Sequence, residues 1–129
     1  MIYYTSWDNL KDLGELYSEW VGYTPSFKGI GNNTFLVVAR DGDKFIGAAQ
    51  LIIVVDRVWG RKWGLIENVY VAKAYRGRGI GTELMQHTEA QAQLMGCEFI
   101  KLTSRKAEGQ ALYRSLGYEE SSAFRKDLI

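Results

Sequence analysis

Arg76-Gly77-Arg78-Gly79-Ile80-Gly81 stands between a strand-like segment, Leu65–Val71, and a helix-like segment, Ile80–Met95. The glycines at 77, 79 and 81 let the backbone turn sharply and approach a ligand with no Cβ in the way. The helix that opens here has first-turn amide N–H groups with no intrahelical partner. The positive end of its dipole favours an anion at the same point. Arg76 and Arg78 add formal charge. The stretch predicts a strand–loop–helix unit that holds a phosphate or pyrophosphate.

Two common phosphate loops do not fit it. A Walker-type loop needs Gly-Lys-Ser/Thr after its spacer, and Gly77 is followed five positions later by Thr82 with no such run. A dinucleotide fingerprint needs a third glycine where Thr82 stands. The pattern is instead Arg76-x-x-Gly79-x-Gly81, and it resembles the acetyl-coenzyme A pyrophosphate loop of the GNAT superfamily of N-acetyltransferases. Leu65-Ile66-Glu67-Asn68-Val69-Tyr70-Val71 is similar to the strand that leads into that family's cofactor site. Ala111-Leu112-Tyr113-Arg114-Ser115-Leu116-Gly117-Tyr118 is similar to its Ala-Leu-Tyr-x-x-Leu-Gly-Phe/Tyr block. The match covers about residues 65–120, and the N-terminal half agrees in its order of elements.

The chain has 129 residues, 47% of them hydrophobic, which suits one domain over residues 1–129 with a sizeable core. Its 16 basic and 15 acidic residues leave a formal charge of +1 and no global drive toward nucleic acid or an anionic membrane. The single cysteine, Cys97, cannot form an internal disulfide, which suits a reducing cytoplasm. Met1-Ile2-Tyr3-Tyr4 opens into strand-like sequence without the basic and apolar regions of a signal peptide. No apolar run nears the roughly 20 residues that span a bilayer. A lone histidine, His87, and a lone cysteine make a poor metal set, so no metal is expected.

Ile2–Thr5 reads as a strand, and Ser6 or Asp8 as a cap for a helix whose Leu10, Leu13, Tyr17, Trp20 and Val21 share a face. Thr24-Pro25-Ser26 breaks that helix, and Phe27–Gly31 predicts a short helical turn. Thr34–Ala39 and Lys44–Val55 are strands joined at Asp41-Gly42 by a tight hairpin with positive φ. Gly47 marks a bulge or a close backbone approach. Asp56–Gly64 is a loop carrying Trp59 and Trp63, and Leu65–Val71 the next strand. In the helix after the glycine loop, Ile80, Leu84, Thr88, Ala92 and Met95 share a face, and Gly96 is the stop. Glu98–Thr103 is a strand parallel to Leu65–Val71, because a helix crosses between them. Ala107–Leu116 is a helix with Ala107, Ala111, Leu112 and Leu116 facing inward. Tyr118 onward, with Ala123–Leu128, predicts one or two last strands. The fold class is α/β in the mixed α+β sense, a mostly antiparallel sheet flanked by helices, as the resemblance also implies.

The resemblance gives roles to particular residues. Gly77, Gly79, Ile80, Gly81 and Thr82, with Arg76 and Arg78, would bind the pyrophosphate. Val69, Tyr70 and Val71 would pair through their backbone with the pantetheine arm, which needs free N–H and C=O groups and no particular side chain. Tyr113 matches the tyrosine beside the thioester sulfur, where a phenol can donate a proton to the leaving thiolate; its bland alternative is a core ring with its hydroxyl at the rim. Glu67 is a candidate base for an amine acceptor, against a solvated carboxylate or a partner of Arg76. Ser104 is a further cofactor-contact candidate. Lys106 stands where many members of the family have asparagine, seven residues before the tyrosine, so that contact is not carried over. Trp7, Trp20, Tyr23, Phe27, Trp59 and Trp63 are expected mostly in the core or an interface, with one or two lining an acceptor pocket.

The implied activity is direct acetyl transfer from acetyl-coenzyme A to a primary amine of a small molecule or peptide. No nucleic acid or membrane partner is expected, the expected location is cytoplasmic, and a homodimer is an open expectation. A non-catalytic coenzyme A-binding regulatory module, and a phosphate-binding protein of another class, stand as the alternatives. Coenzyme A affinity separates the last from the others, and turnover with an amine separates enzyme from module.

Overall fold

The computed structural model describes residues 1–25, 33–104, 107–121 and 123–129. Its strands are β1 (Ile2–Trp7), β2 (Thr34–Asp41), β3 (Lys44–Asp56), β4 (Arg61–Val71) and β5 (Ile100–Leu102). Its α-helices are α1 (Gly14–Val21), α2 (Ile80–Leu94) and α3 (Ala107–Ser115). The sheet order is β1-β2-β3-β4-β5, antiparallel up to β4 and parallel between β4 and β5. The turn expected at Phe27–Gly31 lies outside the described residues, as do Arg105 and Lys106.

Alternation along the strands builds two apolar layers. Leu36 and Val38 of β2 and Ala48 of β3 pack with Leu13, Leu16 and Tyr17 on the α1 side. Val37, Ala49, Leu51, Ile53 and Ile66 pack with Leu84, Met85 and Ala92 on the α2 side. The period of two in the strands sends successive side chains to opposite faces. Of the expected α2 stripe, Ile80, Leu84, Thr88 and Ala92 are buried and Met95 is the half-buried C-cap, while Met85 joins the buried face. The buried Thr88 hydroxyl donates to the Leu84 carbonyl at 2.8 Å, so it is not stranded in this layer. Burying each large apolar side chain contributes about 1.5–3 kcal/mol.

Several local expectations change. β1 runs through Trp7, so the cap moves to Asn9, whose side chain accepts from the Lys11 N–H at 3.2 Å. A 3₁₀ turn, Leu10–Leu13, precedes α1. In the β2–β3 hairpin Gly42 has φ 59°, and it is the only residue of that turn with positive φ. The register shift between Ala39 and Arg40 falls opposite the Gly47 region, as a bulge there requires. The Asp56–Gly64 loop is shorter than expected. Asp56 accepts from the Val58 and Trp59 N–H groups and closes the turn early, so Trp63 lies within β4 and stacks on Phe99 at 5.8 Å. Trp59 and Tyr23 are exposed, not core. β5 is shorter than Glu98–Thr103, and Ala111 of α3 is exposed.

The last strands expected after Tyr118 do not form among the described residues. Phe124, Leu128 and Ile129 are fully or almost fully exposed, and the sheet ends at β5. A strand needs a neighbour for its backbone groups, and the three residues of β5 take theirs from β4.

Candidate active site

The sheet opens where β4 outruns β5. Parallel pairing links Gly64, Leu65 and Ile66 to Ile100, Lys101 and Leu102 and then stops. Residues 67–71 of β4 therefore have no strand partner on the β5 side among the described residues. An unpaired strand edge can take an extended ligand by backbone hydrogen bonds. A bulge begins in the same place. The β3–β4 register passes from Ala48↔Tyr70 to Gln50↔Glu67, so Asn68 and Val69 together oppose Ala49. Asn68 has φ 55°, the one positive value at a non-glycine residue among those described. Asparagine tolerates this left-handed conformation better than most side chains. The extra residue shifts the alternation. Ile66 faces the α2 layer, and so do Val69 and Val71, while Tyr70 turns to the α1 layer.

Beyond β4 a 3₁₀ turn, Lys73–Tyr75, leads to the glycine loop. Gly77 has φ 80° and Gly79 φ 77°, conformations strained for any residue with a Cβ. Gly79 is the N-cap of α2 and supplies no side chain to its amides. The Glu83 N–H bonds back to the Gly79 carbonyl at 3.1 Å, which leaves the amides of the first turn, Ile80 to Thr82, without an intrahelical acceptor. Ile80 itself is 3% exposed and belongs to the core, so only its backbone faces the loop. A Cβ at Gly81 would meet Leu112 of α3 at 3.4 Å, so this glycine serves close packing of α3 on α2.

The loop is held from both sides. The Tyr75 phenol donates to Asp41 at 2.8 Å, and the Arg78 guanidinium lies over the Tyr75 ring at 4.9 Å. Arg76 donates from Nε to the Val71 carbonyl at 3.1 Å and covers the Tyr70 ring at 5.2 Å. Glu19 of α1 accepts from the Tyr70 phenol at 2.6 Å and from the Lys73 N–H at 3.0 Å. The Tyr70 phenol, then the Lys73 amide, hold the Glu19 carboxyl below its ordinary range. Trp20 stacks on Tyr70 at 5.3 Å.

Tyr113 of α3 comes to the same region. Its ring is half-buried and meets Tyr118 edge-on at 6.0 Å. Burial, and after it the Glu67 charge, raise the Tyr113 phenol above its ordinary value of 10. The Glu67 charge is thus felt at the Tyr113 phenol. Ser104 follows β5, and its carbonyl accepts from Gln110 at 3.0 Å. A Cβ at Gly109 would come within 2.6 Å of the Ser104 hydroxyl oxygen, so glycine lets α3 sit against this segment.

Glu67, Val69, Tyr70 and Val71 lie on the open part of β4; Arg76 to Thr82 form the loop and first turn of α2; Ser104 and Tyr113 stand on the β5–α3 side. Arg76 is engaged by the Val71 carbonyl and not by Glu67, and Tyr70 points its ring to the α1 layer. Asn68, Tyr17 and Glu19 were not anticipated. Asn68 left no clear signal, since Leu65, Ile66, Val69, Tyr70 and Val71 are apolar on both alternations of the strand. Glu19 left none, being 51 residues from Tyr70. A separate cavity of about 500 Å³, lined by Glu89, Cys97, Ile100 and Tyr118 among others, lies at the start of β5 and contains none of these residues. Among the described residues no His, Cys, Asp or Glu cluster could hold a metal ion, and no helix is long and apolar enough to cross a membrane.

An open strand edge beside a bulge leads into a glycine loop and a helix start with no side-chain cap, on an α/β sheet. The Acetyltransferase (GNAT) family model matches residues 2–118, and the chain belongs to that family. It is 32% identical over 92 residues to aminoglycoside N(6')-acetyltransferase type 1 of Stenotrophomonas maltophilia, covering 67% of this chain and 60% of that one. It is also 32% identical over 89 residues to streptothricin acetyltransferase of Streptomyces lavendulae, covering 67% and 44%. The chain thus matches less than two thirds of the length of either relative. An acetyltransferase structure from Trypanosoma brucei superposes with TM-score 0.81 over 99% of this chain and 100% of that one, at 22% identity, a likeness of fold.

Proposed function

We propose that this chain is an acetyl-coenzyme A-dependent N-acetyltransferase that passes the acetyl group directly to a primary amine of a small molecule or peptide. The observation that supports the reading is the approach of the open β4 edge, the start of α2 and α3, where a Cβ at Gly81 would lie 3.4 Å from Leu112 and 3.9 Å from Val71. The residues fit the group. Helix N-terminal amides suit a pyrophosphate, and residues 67–71 suit an extended amide-bearing arm. The two curated relatives are named for aminoglycoside and streptothricin acetylation, which supports a small-molecule acceptor. A cytoplasmic setting agrees with the lone Cys97, whose thiol burial keeps protonated.

Acetyl-coenzyme A supplies an acyl carbon activated as a thioester and a thiolate leaving group. Glu67 takes the ammonium proton of the acceptor on a carboxylate oxygen, directly or through a water, and so frees the nitrogen lone pair. Backbone N–H groups on the open edge of β4 polarise the carbonyl where negative charge develops. The Tyr113 phenol gives its proton or a hydrogen bond to the departing sulfur. The raised phenol keeps that proton below pH 10 and loses it only as pH rises through the shifted value.

Gly79→Asp tests the cofactor half of the reading. Nothing lies within 4 Å of a Cβ at this position, so the cost comes from the φ of 77° and from the new negative charge at the helix start. Coenzyme A affinity measured by calorimetry is expected to fall at least about tenfold, roughly 1.4 kcal/mol. Unchanged affinity in a folded variant would remove the cofactor assignment. Coenzyme A binding without turnover across an amine panel would favour the regulatory module.

A further inference from the structure

We propose that Tyr17 is a positioning residue for acetyl transfer: its hydroxyl locks the β4 bulge and thereby sets the direction of the open edge at residues 67–71. The inference rests on the transfer reading above and adds a residue to it. Tyr17 comes from α1, 51 residues away in sequence, and donates to the Asn68 carbonyl at 2.8 Å. It is only 7% exposed. A buried hydroxyl placed on the carbonyl of the one left-handed non-glycine residue among those described constrains a strained backbone position. Asn68 is held a second time, by its side-chain amide donating to Gln50 at 2.8 Å.

The bulge decides which way the site faces. Without the extra residue, Val69 and Val71 would turn to the α1 layer and Tyr70 to the α2 layer, because a one-residue slip exchanges the faces of a strand. The Tyr70 phenol would then leave Glu19, and Arg76 would lose the ring it covers. α1 therefore grips both ends of the turn in β4, with Tyr17 on Asn68 and Glu19 on Tyr70. Asn68 is exposed and its main chain lies beside the break in β4–β5 pairing, so the lock acts on backbone next to where the thioester is to lie. Burial raises the Tyr17 phenol, which keeps it a donor through any ordinary assay pH.

Tyr17→Phe keeps the ring and its packing and removes the bond. Amide hydrogen exchange of the unliganded protein, read by NMR, is expected to quicken at Asn68 and Val69 by about tenfold with Leu65 and Ile66 unchanged, a local opening. The kcat with acetyl-coenzyme A and a responsive amine is expected to fall about tenfold, with its KM within about threefold, because misplacement near the reacting atoms costs rate more than binding. Asn68→Ala should give the same local exchange pattern. The double variant should lose little more kcat than the worse single one, as coupled residues do. Unchanged exchange and kcat in Tyr17→Phe would overturn the proposal. So would exchange raised evenly along β4 with kcat per folded molecule intact, the mark of a purely structural phenol. If the wild-type protein turns over no amine, the transfer reading falls on that result, and the exchange arm alone decides whether Tyr17 holds the bulge.

Discussion

Tyr113→Phe is expected to slow turnover about a hundredfold or more while leaving acetyl-coenzyme A affinity nearly unchanged, within the usual range for general acid catalysis. The phenylalanine ring keeps the half-buried position and the edge contact with Tyr118, so the variant should fold. Only the hydroxyl is lost, and with it the donor to the leaving thiolate. The wild-type pH–rate profile should show no loss from this group below pH 10, because burial and the nearby Glu67 charge hold the phenol protonated. Acyl acceptance from a thioester with a better leaving group should recover part of the variant's rate, since such a thiolate needs less help. A variant with near-normal kcat and chemistry shown to be rate-limiting would make Tyr113 a packing residue.

The second large effect is at Glu67. Glu67→Gln keeps the side chain's shape at its half-buried place on β4 and removes the carboxylate. The rate at neutral pH should fall about a hundredfold, and the acidic limb of the profile should flatten or move, as for a lost general base. Raising the pH should restore part of the rate, because more acceptor amine is then deprotonated in solution. The same variant should lower the Tyr113 phenol, since the Glu67 charge is the second cause of its upward shift. An ultraviolet titration of phenolate reads that change independently of turnover. A carboxylate with only a structural part would lower Tm and leave the shape of the profile alone, and the base would then be sought in another side chain or in a water held by carbonyls.

The parts of this molecule that were legible in the chain are those written in neighbouring residues. The glycines at 77 and 79 imply positive φ whatever surrounds them, and both adopt it. The four-residue spacing of Ile80, Leu84, Thr88 and Ala92 describes a helix face, and that face is buried. A helix between two apolar runs implies parallel strands, and β4 and β5 are parallel. The misreadings have local causes too. Trp63 lies in β4 and not in the expected loop because Asp56 closes its turn early through two backbone amides, a contact no hydropathy pattern shows. Ala123–Leu128 holds one strong β-former, Phe124, among residues such as Ala, Lys and Asp that strands disfavour, and it finds no neighbouring strand among the described residues.

By itself the sequence therefore determined the order of elements as far as the helix ending near Leu116, the positive-φ glycine loop and the family, because glycine stereochemistry, hydrophobic period and helix-end chemistry act over a few residues. Only the tertiary structure decided that β4 bulges at Asn68 and that pairing with β5 stops at Ile66. It alone brought Tyr17 to Asn68 and Glu19 to Tyr70, each across 51 residues. Those bonds depend on how α1 settles on one face of the sheet, and the energy that seats it is burial of Leu13, Leu16 and Tyr17, which is non-directional and specifies no partner for a hydroxyl or a carboxylate until the layers have packed.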